Sequence, residues 1–218
     1  MASVRHLLQR KMAAPPSMAV EPVKKPVVFR ALAGAALVAV LVAGPRARAA
    51  PDEAAVWAAL QRGTHVILIR HAQTTAGVGD PPGFKLDDCS TQRNLSDEGR
   101  AQARKLGETF RTRRIEVDRV LSSPWCRCIE TAELAFARKP QVAAPLASFF
   151  GEPEKRDPQV AELRKLVSDY RGPGNLVLVT HGNSITALTG LTADMGSLVV
   201  VKPEGSGKFS IVGQAGLR

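Results

Sequence analysis

Val66-Ile67-Leu68-Ile69-Arg70-His71 and Leu176-Val177-Leu178-Val179-Thr180-His181-Gly182 are the stretches whose reading decides the fold. Neither apolar run alternates with polar residues. An unbroken run of four or five β-branched and leucine side chains suits a strand covered on both faces, the situation of a parallel sheet with helices above and below. Both runs end in a histidine at the carboxyl end of the strand, the rim where open α/β sheets bind ligands.

Working outward, Asp52 to Gln61 places Val56, Trp57 and Leu60 on one helical face, with Gly63 set to end the helix. A loop rich in Gly, Pro and Asp runs from Thr74 to Asn94. Ser96 is an N-cap, Asp97 and Glu98 favour the positive end of the helix dipole, and Ala103, Leu106, Gly107 and Phe110 form the apolar stripe of the next helix. Val117 to Leu121 reads as a second strand, Pro124 to Ala137 as a helix begun by proline, and Gln141 to Leu146 as a third strand. Pro158 to Tyr170 is helical, followed by the Leu176 strand and a short helix over Gly182 to Leu191. Leu198 to Lys202 and Phe209 to Gly213, joined across Pro203 to Lys208, predict a C-terminal β-hairpin. The expected fold class is α/β: a mostly parallel central sheet covered by helices on both faces.

This order of strands collects Arg70, His71 and His181 at one rim, and the second strand leads through Ser122-Ser123-Pro124 to Arg127 in the next helix. Guanidinium forks match phosphate oxygens and keep their charge at any working pH. A neutral imidazole can attack phosphorus, and a second one can donate to the equatorial oxygens as charge spreads over them. No metal-ligand cluster, P-loop or Gly-x-Ser-x-Gly elbow competes for the same rim.

Four ordered motifs carry a resemblance: Leu68-Ile69-Arg70-His71-Ala72-Gln73-Thr74, Asn94-Leu95-Ser96-Asp97-Glu98-Gly99-Arg100-Ala101-Gln102-Ala103, Leu121-Ser122-Ser123-Pro124-x-x-Arg127-x-x-x-Thr131-Ala132, and Val179-Thr180-His181-Gly182-Asn183. Over about residues 64–190 the chain resembles the histidine phosphatase superfamily, with its phosphoglycerate mutase-like fold. The resemblance implies a phosphomonoesterase that hydrolyses a phosphate ester or phosphoramidate through a phosphohistidine on His71. Arg70, Arg127 and His181 complete the phosphate pocket, and neither cofactor nor metal is needed. The chain departs from the family in two places. Arg-His-Gly is Arg70-His71-Ala72 here, and neither usual proton donor is present: the chain reads Leu146-Ala147-Ser148 after the third strand and His181-Gly182 at the second histidine. Glu152, Glu154, Asp87 or Asp88 are the remaining acids. Glu152 is preferred because Phe149 and Phe150 beside it would raise its pKa by desolvation. The short domain is similar to a small branch that includes phosphohistidine-protein phosphatases and exported phosphatases of lipopolysaccharide sugars, so the expected partner is a phosphorylated small molecule, sugar or protein. The alternative from another class is a non-catalytic phosphate-binding protein with the same pocket.

Of 218 residues, 44% are hydrophobic and 23% charged, a globular composition, and the formal net charge is +10. Residues 1–49 hold eight Lys and Arg against Glu21 alone, so seven of those charges lie there and three remain for residues 50–218. That excess is too small to mark a nucleic-acid face. Ala31 to Gly44 is an uncharged apolar run behind Lys24, Lys25 and Arg30, too short to span a bilayer, and Ala47-Arg48-Ala49 follows it. This is the layout of a secretory signal cleaved before Ala50, leaving residues 50–218 as the periplasmic or secreted domain; an uncleaved anchor facing the periplasm is the alternative. In an oxidising compartment Cys89 is expected to pair with Cys126 or Cys128, which diverge on their helix. Nothing in the sequence bears on oligomeric state.

Overall fold

The computed structural model describes residues 53–77 and 79–216. The expected signal segment and its cleavage site lie outside them. Among the described residues, five α-helices, α1 (Glu53–Gln61), α2 (Asp97–Thr112), α3 (Cys126–Phe136), α4 (Arg156–Ser168) and α5 (Gly182–Thr189), surround six strands. These are β1 (Val66–Arg70), β2 (Val117–Ser122), β3 (Gln141–Val142), β4 (Asn175–Thr180), β5 (Leu198–Gly205) and β6 (Lys208–Ala215), in the sheet order β3-β2-β4-β1-β5-β6. The pairs β3-β2, β2-β4 and β4-β1 are parallel, and the β5-β6 hairpin joins β1 antiparallel.

The unbroken apolar runs are explained by two cores, one on each face of the sheet. Ile67 and Ile69 of β1, with Val177 and Val179 of β4, pack with Val56, Trp57, Leu106, Phe110 and Ala132 of α1, α2 and α3. Val66 and Leu68, with Leu176 and Leu178, pack with Leu163, Val167, Ile185 and Leu188 of α4 and α5. Successive residues thus enter opposite cores, and every position must be apolar. Gly107 is required by contact rather than by conformation: a Cβ there would lie 1.9 Å from the carbonyl oxygen of Ala135, so α2 and α3 meet backbone to backbone.

Three expected boundaries move. β3 stops at Val142, and Ala144–Leu146 forms a 3-10 turn, because Pro145 has no N–H for the ladder and Leu146 turns into the second core. α3 begins at Cys126 with Trp125 as its N-cap, so Pro124 stands outside the helix. The hairpin loop contracts to Ser206-Gly207, both with positive φ (51° and 74°), the two-residue turn whose twist matches antiparallel strands.

Candidate active site

The carboxyl ends of β1, β4 and β2 lie side by side, with Arg70 opposite Thr180 and Ser122 opposite Val179. Ladder bonds continue one residue further: His71 N–H donates to Thr180 O (3.0 Å) and Ser123 N–H to Val179 O (2.9 Å). The residues that follow each strand are therefore held as firmly as the strands. A cavity of about 560 Å³ opens at this rim, walled by Arg70, His71, Asp80, Arg93, Arg127 and His181, with Trp125, Phe84, Ser148, Phe150 and Asn183 further out.

His71 is 3% exposed, and its Nδ1 lies 2.8 Å from the carbonyl oxygen of Ala72. A carbonyl only accepts, so Nδ1 carries the proton and Nε2 keeps its lone pair. Burial, reinforced by the charges of Arg127, Arg70 and Arg93, lowers the pKa of His71 to about 3, against the opposing bond to Ala72. Its imidazole is neutral and nucleophilic at neutral pH. His181 is likewise held neutral by burial, and then by Arg127 and the neighbouring histidine. The rings approach edge to face, centroids 5.5 Å apart. Ser123 Oγ accepts from Trp125 N–H (3.3 Å) and lies 2.8 Å from His181 Nε2. The hydroxyl, with one lone pair engaged by Trp125 N–H, thus holds the His181 ring in place through its Nε2.

Three guanidinium groups converge beside the imidazoles. Arg70 Nη1 donates to Ala193 O (2.9 Å), and Arg127, 3% exposed, donates from Nη1 to Asp80 Oδ1 (2.9 Å). Asp80 Oδ1 also accepts from Arg93 N–H (2.9 Å). Burial opposes ionisation of Asp80, but the bond from Arg127, the Arg93 N–H and the two guanidinium charges outweigh it and hold the carboxyl below its usual range. The Nε–H groups of Arg70, Arg93 and Arg127 are buried without an acceptor. Three cations, one carboxylate and two neutral imidazoles make the pocket formally +2, the complement of a phosphomonoester dianion. Gly182 belongs to this arrangement, since a Cβ there would come within 3.3 Å of Arg70 Nε.

The Thr74 to Asn94 loop is tied to α3 beside the pocket. Cys89 and Cys126 form a disulfide, Cα atoms 5.7 Å apart, and Gln92 Oε1 accepts from Cys126 N–H (3.0 Å). Cys128 is the free thiol, fully buried 3.6 Å from His181 Nε2 and held protonated because burial pushes its pKa up to about 12.

His71, His181, Arg70 and Arg127 thus share one cavity, and Glu152 is not on its wall. Glu152 pairs with Lys155 beside the one-turn helix Pro153–Lys155, and Phe150, expected to desolvate it, is 90% exposed. The preferred proton donor is corrected accordingly. Nor do Asp87, Asp88 or Glu154 line the cavity; Asp88 caps the 3-10 turn at Cys89 by accepting from Ser90 N–H. Sequence reasoning missed Asp80, Arg93 and the role of Ser123. Arg93 directly precedes the Asn94-Leu95-Ser96 motif, the one local signal that bore on it.

Residues 66–149 match the family model of the histidine phosphatase superfamily (branch 1). Among solved structures, the protein histidine phosphatase SixA complexed with tungstate is similar at 18% identity and TM-score 0.53, covering 70% of this chain and 96% of that one. The product of an open reading frame of Mycobacterium tuberculosis is similar at 18% identity and TM-score 0.53, covering 69% and 96%. A mycobacterial glucosyl-3-phosphoglycerate phosphatase complexed with VO3 is similar at 18% identity and TM-score 0.50, covering 68% and 96%. At these identities the likeness is one of fold. No curated protein sequence matches the chain.

Proposed function

We propose that this chain, whose residues 66–149 match the family model of the histidine phosphatase superfamily (branch 1), is a member of that superfamily and an exported phosphomonoesterase that takes a phosphoryl group from an ester or phosphoramidate onto His71 Nε2 and passes it to water. The observation that carries the reading is a buried, neutral imidazole with a free Nε2 lone pair in the same cavity as three guanidinium groups and a second neutral histidine. Nε2 attacks phosphorus, the P–O or P–N bond to the leaving group breaks, and the leaving atom keeps the bonding pair. Arg70, Arg93 and Arg127 meet the three equatorial oxygens, whose charge is best matched in the transition state. His181, held in place by its contact with Ser123, donates a hydrogen bond to the same group. Water then attacks phosphorus and returns the pair to Nε2. The outer wall of Phe84, Phe150, Ser148 and Asn183 is open to solvent on one side, which suits a phosphate on a small molecule, a sugar or a protein.

Labelling with a radioactive phosphomonoester, quenched in alkaline detergent, tests the reaction. The wild-type chain accumulates an acid-labile, base-stable phosphoenzyme, and His71→Ala does not. Arg127→Ala lowers kcat/KM by roughly 10² to 10³, the scale of lost oxyanion donors. Saturable phosphate binding with neither label nor turnover would instead support the phosphate-binding protein. Export rests on the apolar run followed by Ala47-Arg48-Ala49, and is supported by the Cys89–Cys126 disulfide, a bond of oxidising compartments. Intact mass of exported material should begin at Ala50; full-length chain extracted only with detergent would support the anchor.

A further inference from the structure

Hydrolysis of an unactivated ester needs a proton for the departing oxygen, and the acids expected from the sequence do not reach the cavity. We infer that Asp80 is that proton donor, and that it later serves as the base for water; the inference rests on the phosphatase reading above. Among the described residues Asp80 is the one carboxylate on the cavity wall. Its side chain is 19% exposed, and it is fixed at the phosphate-gripping edge of the pocket by Arg127 Nη1 and Arg93 N–H. Both bonds fall on Oδ1, so Oδ2 is the oxygen left for a proton.

The contact with Arg127 also explains how a carboxylate ionised in the free protein becomes an acid. A bound phosphoryl group claims the Arg127 fork, and Asp80 exchanges a cationic neighbour for an anionic one. Both changes raise its affinity for a proton. A monoester arriving as the monoanion, whose proton leaves with a pKa of about 6, supplies it. In the first half-reaction His71 Nε2 forms the P–N bond while Oδ2–H passes its proton to the ester oxygen, which leaves as the alcohol with the P–O bonding pair. In the second, the Asp80 carboxylate takes a proton from water as the water oxygen bonds to phosphorus, and the P–N pair returns to Nε2. Atoms and charges balance without a further reactant.

The test is Asp80→Asn in the full chain. Asparagine keeps an acceptor for Arg93 N–H and Arg127 and cannot supply the proton. Turnover of an alkyl phosphate should fall by about 10²-fold or more, within the range of general acid catalysis, while 4-nitrophenyl phosphate, whose leaving group needs little protonation, loses less than about tenfold. Vanadate should inhibit the variant at least as strongly as the wild type, because the competing carboxylate is gone. Equal losses on both substrates with weakened vanadate inhibition would make Asp80 an anchor for Arg127 and overturn the assignment, as would full alkyl turnover. A wild-type chain that hydrolyses neither substrate would remove the phosphatase reading itself, and this inference with it.

Discussion

Replacing both bridged cysteines, Cys89→Ser with Cys126→Ser, is a perturbation whose size is set by chain length. The bridge closes a loop over a sequence separation of 37 residues. In the chain-entropy treatment its removal frees the unfolded ensemble at a cost to the fold of about 4 kcal/mol. Native contacts around the bridge survive the change, because Gln92 Oε1 still accepts from Cys126 N–H and Asp80 still holds Arg127. The loss should therefore appear in unfolding more than in the pocket. Urea denaturation of the oxidised wild type and the double serine variant should differ by about 2 M in midpoint, taking a slope of about 2 kcal/mol per molar, and phosphate affinity well below the transition should change by less than about tenfold. Peptide mapping without reductant must show the Cys89–Cys126 peptide and an unmodified Cys128. A stability loss under about 1 kcal/mol, or three titratable thiols in the oxidised chain, would refute the reasoning.

Two further outcomes follow from close packing and from burial of charge. Gly107→Ala places a methyl group 1.9 Å from Ala135 O and forces α2 and α3 apart; despite alanine's better helix propensity, calorimetry should show destabilisation of about 2 kcal/mol. His71 is neutral in the fold down to pH about 3 but protonates at its ordinary value of 6.5 when unfolded, so the unfolded chain binds the extra proton in acid. Stability is lost as pH falls below 6.5, by about 2 kcal/mol for this residue between pH 7 and 5, and urea midpoints at the two pH values should lie closer together in His71→Ala by about 1 M at a slope of about 2 kcal/mol per molar.

What the sequence revealed follows from whether a residue's environment has a period. β1 and β4 were legible because two cores demand an apolar residue at every position, and α2 because Ser96 and the Ala103-Leu106-Phe110 stripe mark its start and face. The four rim residues were legible because they end or directly follow strands, or open a helix. Asp80 and Arg93 lie in a loop without period, and their positions depend on Arg127 and on the disulfide, contacts between segments far apart in the chain. Glu152 was favoured for its phenylalanine neighbours, but adjacency in sequence is not contact, and Phe150 stands in solvent. The choice between Cys126 and Cys128 was readable in principle: Cys128, Ala132 and Ala135 recur at i, i+4 and i+7, the stripe turned to the sheet, and this leaves Cys126 for the loop.

The pairing of β1 with β4 also governs when the site comes into being. These strands stand 110 residues apart in sequence, with β2 and α3 made in between, and His71 is fixed by a bond to Thr180 O. Contacts of such separation form late, since the loop they close must be ordered first. A nascent or half-folded chain can hold α2 and α3 and still have no pocket, for the two imidazoles belong to opposite ends of the domain. Until β4 docks, His71 lacks its bond to Thr180 O and His181 has no place beside it, so a chain truncated before His181 lacks a complete phosphate site.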